Sequence, residues 1–402
     1  MTDTALPAQD KPVAMTGFLT FVFAIGCGLT AANLYYAQPL IGLIAPDIGL
    51  SDTLAGFVVT FTQIGYGLAL LLIAPLGDKL ENRRLIMVTL VAAAIALAGM
   101  AFTRHPVPFL AAAFMIGLTS VGAQLLVPFA AHLAPDHRRG RIIGNIMSGL
   151  MLGILLARPL SSWLTSLFGW RAVFEIMAVA MLVLAALLGL LLPKRQPNTK
   201  LSYGGILHSL FGLLRTNRIL QRRTAYHVPL FCAFSLFWTS VPLLLAGPDF
   251  GLTQRGIALF ALAGAAGAVA APIAGRWADR GWGRFTTGLA MTLVALAFPM
   301  AWIAAEIHSL PLLVLAGITL DFGVQANLVT GQRALFAQAA EARSRLNGIY
   351  IASFFFGGAA GSVLASATYT HGGWTVTTAT GLVLPLLSLL FFATEFRRGS
   401  TA

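Results

Sequence analysis

GITLDFGVQANLVTGQRALFAQAAEARSRLNG, residues 317–348, is the stretch on which the reading of this chain turns. It begins as an apolar run, yet it carries Asp321, Gln325, Asn327 and Gln332, and it ends in a loop holding Arg333, Arg343 and Arg345. Asp321, Gln325 and Gln332 stand at i, i+4 and i+11, so a helix places them on one face. A carboxylate at that depth in lipid costs about 3 kcal/mol or more, so the face must meet protein or a water-filled cavity. The layout recurs earlier in GLTSVGAQLLVPFAAHLAPDHRRGRIIG, residues 117–144, where Gln124 stands 201 residues before Gln325 and one basic loop answers the other. Two halves, each with a polar membrane helix, form the outline of a secondary transporter.

Composition agrees. Of 402 residues, 57% are hydrophobic and 10% charged, against about 25% charged in soluble domains. The net charge of +12 does not point to nucleic acid, because the basic residues lie in short loops between apolar runs and form no continuous patch. Cys27 and Cys232 stand alone in apolar segments and read as core fillers, with no metal or redox spacing around them. Met1 to Lys11 is polar and lacks the basic start and apolar core of a signal peptide.

The expected fold is an all-α integral membrane protein of twelve transmembrane helices in two pseudo-symmetric six-helix halves. The spans are read at 17–44, 53–76, 84–103, 107–132, 142–166, 171–192, 223–246, 255–276, 284–305, 310–333, 343–370 and 374–394. This gives an N-terminal tail at 1–16, one half at 17–192, a linker at 193–222, a second half at 223–394 and a tail at 395–402. With Lys11 inside, 22 of the 26 Lys and Arg residues fall on the inner side, three (Arg104, Arg171, Arg255) on the outer, and Arg158 within a span. Both termini are therefore expected in the cytoplasm, with the bilayer of a bacterial inner membrane around the spans. The linker stretch GGILHSLFGLLRTNRILQRR reads as a surface-lying amphipathic helix, acting either as a tether or as a regulator.

The repeat extends beyond hydropathy. APLGDKLENRR (74–84) follows the second span and GRWADRGWGR (275–284) the eighth; Asp78 and Asp279 are 201 residues apart. Gly169-Trp170 and Gly373-Trp374 are 204 apart. Leu76, Asp78, Lys79 and Arg83, with Gly275, Ala278, Asp279 and Arg280 in the second copy, resemble the loop signature of the major facilitator superfamily, and the resemblance covers essentially the whole chain. NLYYAQPL (33–40) and RSRLNG (343–348) resemble the bacterial drug/proton antiporter subgroup. The chain departs from that subgroup at Ala113, where an arginine is common, and at Ile154, where a proline usually follows Gly149 and Gly153.

The resemblance implies a gate at the cytoplasmic end of the second span. There Asp78 would pair with Arg83, Arg84 or Arg139 and meet span eleven near Arg343; Asp279, beside Arg280, would do the mirror job against span five near Arg141. The alternative is that these are loop charges with solvated partners. Asp321 is the carboxylate placed well inside a span and Arg158 the corresponding cation, so the two are candidates for a proton-coupling pair across the halves, or for a structural ion pair. Candidate substrate contacts are Asn33 and Tyr36, Gln63 and Tyr66, Gln124, Gln325, and an aromatic wall of Phe234 and Trp238. His227 reads as an interface anchor at the start of span seven.

No H-E-x-x-H, G-x-S-x-G or phosphate-binding G-x-x-x-x-G-K-[ST] pattern occurs, so neither an intramembrane enzyme nor nucleotide drive is expected, and no metal or cofactor. The expectation is a monomeric, proton-coupled exporter of a small amphiphilic compound. The competing reading is an uptake symporter or uniporter for a small metabolite.

Overall fold

The structure, a computed structural model, describes residues 15–197, 202–264, 270–338 and 343–398. The expected tails lie mostly outside these residues. Every regular element among the described residues is helical. The first half comprises α1 (Gly17–Ala32), α2 (Ile41–Asp47), α3 (Phe57–Leu72), α4 (Asn82–Phe102), α5 (Pro106–Thr119), α6 (Gly122–Leu133), α7 (Arg139–Phe168) and α8 (Trp170–Leu191). The linker holds α9 (Tyr203–Thr216). The second half comprises α10 (Arg218–Ala246), α11 (Gln254–Ala263), α12 (Ala270–Asp279), α13 (Gly283–Glu306), α14 (Leu310–Phe336) and α15 (Arg343–Arg398).

These elements make twelve crossings. Nine stretches among the described residues are long and apolar enough to span a membrane, one of them the 53-residue run Arg343–Glu395. That run holds two crossings, because the helix breaks at Gly373, whose φ is +61°. Spans one and eight supply the rest, as α1 with the turns and α2 beyond it, and as α11 with α12. Span four is divided at Ser120 into α5 and α6.

Local chemistry sets the ends. Thr16 caps α1 by accepting the Leu19 N–H at 3.1 Å, and Asn217 caps α10 by accepting that of Leu220 at 2.9 Å. The two Gly-Trp pairs make equivalent corners. Gly169 (φ +84°) and Gly373 (φ +61°) adopt the left-handed backbone that reverses the chain, a conformation costly for a residue with a Cβ. The following tryptophans each donate from Nε1, Trp170 to Asp47 Oδ2 at 3.1 Å and Trp374 to the Ala301 carbonyl at 2.9 Å.

Helices α4, α8, α13 and the last crossing of α15 present leucine, valine and phenylalanine outward; Phe102 is 73% exposed and Leu190 is 85% exposed. That is the surface a bilayer covers. The halves meet where α3 packs on α15, α7 on α11, and α10 on the turns after α1. Cross-half hydrogen bonds reinforce the seam: Thr60 Oγ1 donates to the Ala359 carbonyl at 3.1 Å, and Gln63 Nε2 to Ser235 Oγ at 3.1 Å.

Candidate functional site

Three helices bring the two intramembrane charges together. Arg158 lies on α7 and Asp321 on α14, and both side chains are buried. They do not form the direct ion pair expected from the sequence. The indole of Trp238, on α10, stands between them: its Nε1 donates to Asp321 Oδ1 at 2.7 Å, while the Arg158 guanidinium lies 4.7 Å from the centroid of its ring. The rings of Tyr35 and Phe234, at 4.9 and 5.1 Å, complete an aromatic box around the guanidinium. Arg158 Nε donates to Gln38 Oε1 at 2.8 Å, and Gln38 Nε2 donates to Thr239 Oγ1 at 3.3 Å, which ties the first half to α10. Arg158 Nη2 is buried without a hydrogen-bond partner among the described residues.

Gly264, at the end of α11, closes the opposite wall. A Cβ there would stand 2.8 Å from Asp321 Oδ2 and 2.8 Å from Trp238 Cζ2, so hydrogen is the only side chain that fits without movement. The arrangement holds a carboxylate and a guanidinium within each other's field, in low dielectric, without contact. Adding a proton to Asp321 would remove the counter-charge of Arg158 and weaken the hold on the indole.

The other expected contacts divide. Phe234 and Trp238 do form an aromatic wall, with Phe234 stacked on Phe231 at 5.2 Å. Gln63 joins Ser235, which in turn meets Ser362 Oγ at 3.0 Å. Tyr66 is buried and packs edge-on against Phe355 at 4.6 Å. Gln325 lies one turn from Asp321 on α14, partly buried. Asn33 turns away, toward Met181 Sδ at 3.7 Å, and Tyr36 lines a groove between α1 and α7. α1 stops at Ala32, and the chain passes through Asn33 and Tyr36 in turns. Tyr35 and Gln38, not singled out in the sequence, take the places beside Arg158. His227 is not an interface anchor: α10 begins at Arg218, so the imidazole lies nine residues along the helix, fully buried, with Nδ1 2.8 Å from Asn327 Nδ2.

The basic-end loops differ from the expected pairings, although Asp78 does come within the field of the start of span eleven. Arg139 pairs with Asp136 at 2.6 Å, and Arg83 Nη1 donates to the Leu192 carbonyl at 3.2 Å, so neither holds Asp78. Arg84 is exposed, with its backbone N–H bound to Glu81 Oε2 at 2.9 Å. Asp78 makes no ion pair within 4 Å among the described residues; the cations whose charge reaches it are Arg195, in the linker, and Arg345, at the start of α15. Asp279 pairs with Arg333 of its own half and not with α7. Arg280 has no ion-pair partner among the described residues.

Glu81, in the loop ahead of α4, binds that loop together. It caps α4 by accepting the Arg83 and Arg84 N–H groups at 2.9 Å each, and it accepts Arg195 N–H at 3.3 Å. Asn82 N–H donates to the Arg195 carbonyl at 3.0 Å, so the linker is laced to the loop. No group of three or more metal-ligating side chains occurs among the described residues.

The comparisons with known proteins agree with this architecture. The chain is 40% identical over 385 residues to "Uncharacterized transporter YgaY" of Escherichia coli O157:H7, covering 96% of this chain and 97% of that one. It is 26% identical over 379 residues to "Chloramphenicol resistance protein" of Streptomyces lividans, covering 92% and 95%. Its fold resembles the inward-facing, occupied structure of a bacterial homolog to the human lysosomal transporter Spinster, with TM-score 0.75, 14% identity, and coverage of 97% and 98%. The pattern of the Major Facilitator Superfamily matches residues 16–305 and 226–401, and the chain belongs to that superfamily.

Proposed function

We propose that this transporter exports a small amphiphilic compound by alternating access, exchanging it for protons through Asp321. The observation that carries the reading is the indole of Trp238, held between a buried carboxylate of one half and a buried guanidinium of the other. When Asp321 is ionised, its charge balances Arg158 across the seam and fixes the indole. When Asp321 is protonated, that balance is lost and the halves are free to rearrange. A proton taken up on one side and released on the other is thereby tied to the switch. The aromatic wall of Phe234 and Trp238 suits a flat, largely apolar solute, and Arg158 Nη2, unpartnered, would offer it one polar contact once the halves part. Similarity to a chloramphenicol resistance protein supports export of such a compound. In this reading the chain works as a monomer in the cell membrane, with both termini in the cytoplasm and Asp78 governing the basic end.

Uptake on the same fold is the second reading, favoured by the same Arg158 Nη2, which would donate to the carboxylate of a small metabolite. Accumulation of a panel of amphiphilic dyes in inverted membrane vesicles under an imposed proton gradient tests both. Gradient-driven accumulation in wild type, lost in Asp321→Asn, is expected. Accumulation that survives unchanged in Asp321→Asn would falsify the coupling role. Accumulation in neither, with uptake in right-side-out vesicles, would establish the second reading.

A further inference from the structure

A groove of about 590 Å³ runs along the outer face of α4. At its basic end stand Arg83, Arg84 and Lys194, together with the Glu81 carboxylate. Beyond them its floor is Val88, Val91 and Ile95, which are 56%, 39% and 68% exposed. Both oxygens of Glu81 are engaged by backbone N–H groups, and Arg83 is engaged by the Leu192 carbonyl. Arg84 and Lys194 are exposed, and neither has an acidic partner among the described residues. The groove therefore has two cations at one end and a bare apolar trough at the other.

Its length matches one leaflet of a bilayer. Eleven residues of helix separate Arg84 from Ile95, a rise of about 16 Å, and half the hydrocarbon core of a bilayer is about 15 Å. The trough is one leaflet deep. We propose that it binds a single anionic phospholipid, with the phosphate between Arg84 and Lys194 and an acyl chain along Val88, Val91 and Ile95. The lipid would also bear on the linker, because Lys194 adjoins Arg195, which is laced to Glu81 and Asn82 and whose charge reaches Asp78. The groove between α1 and α7, about 560 Å³, is a control within the same molecule: it is apolar and open to the surface, but no cation lines it.

The purified full chain in detergent, titrated with phosphatidylglycerol and with phosphatidylcholine and followed by native mass spectrometry, tests this. Wild type is expected to prefer phosphatidylglycerol. Arg84→Gln with Lys194→Gln, both at exposed positions, is expected to weaken it about thirtyfold, at about 1 kcal/mol per charge. Ile95→Trp, which fills the trough and leaves the cations in place, is expected to weaken it as well. Binding within twofold of wild type in the double variant, or complete displacement of the lipid by inorganic phosphate, would overturn the proposal; the second outcome would mark a simple anion patch.

Discussion

At the centre of the bundle Arg158 and Asp321 are 6% and 8% exposed and meet only through an indole. At the basic end the side chains of Arg333 and Asp279 are 42% and 65% exposed and touch directly. Distance alone would rank the second pair as the stronger. Environment reverses the order, because exposed ion pairs are screened and contribute about 0–1 kcal/mol, whereas stranding one member of a buried pair costs about 3–5 kcal/mol.

The comparison breaks most sharply at Arg158. Arg158→Gln leaves Asp321 without its opposing charge, so a melting transition lower by the equivalent of about 3–5 kcal/mol is expected, with loss of gradient-driven flux. Arg158→Gln combined with Asp321→Asn should recover the stability and leave transport absent. Equal melting of single and double variants, measured on purified protein, would show that the two charges do not depend on each other.

Gly264→Ala probes the same centre by volume. The new methyl must displace the Asp321 carboxylate or the indole, and overpacking of this kind costs about 1–3 kcal/mol. Gly144→Ala, where a Cβ meets nothing within 4 Å, is the matched control and should be neutral in both melting and flux. Trp238→Phe is finer. It keeps an aromatic face for Arg158 and removes the N–H that serves Asp321, leaving a buried acceptor short of a donor at about 1–3 kcal/mol. Gradient-driven flux about tenfold below wild type is expected, with flux down a substrate gradient less affected. Equal loss of both would assign Trp238 to substrate binding alone.

Much of the centre was legible in the sequence, for a reason of cost. A carboxylate and a guanidinium inside apolar runs are expensive enough to be kept only where protein surrounds them, so Asp321 and Arg158 stood out. What joins them did not. Tyr35 and Gln38 reach Arg158 from the turns that follow Ala32, a segment in which the sequence singles out Asn33 and Tyr36. His227 is buried against Asn327 of α14, a contact that no spacing within α10 reveals. The wiring of the loops was hidden for another reason: charge near the surface is plentiful. Nothing in composition ranks Arg333 above Arg141 for Asp279, or assigns Glu81 to capping and to the linker.

The smallest effects belong to the two repeated aspartates, and they should differ from each other. Asp279 binds Arg333 within its own half, so Asp279→Asn removes an exposed pair without touching the seam. Melting should shift by less than about 1 kcal/mol and flux should stay near wild type. Asp78 lies within the field of cations from two different segments, Arg195 of the linker and Arg345 at the start of α15. Asp78→Asn removes the negative charge that both segments meet, so transport should slow severalfold while the fold survives. Because both sites are exposed, the gap between the variants should narrow as salt rises from low ionic strength toward about 1 M, where the screening length falls to about 3 Å. Initial rates in vesicles across that range decide the matter. A salt-independent gap would place the role of Asp78 in a specific contact of another conformation, and equal rates in the two variants would leave the repeated aspartates equivalent in use as well as in sequence.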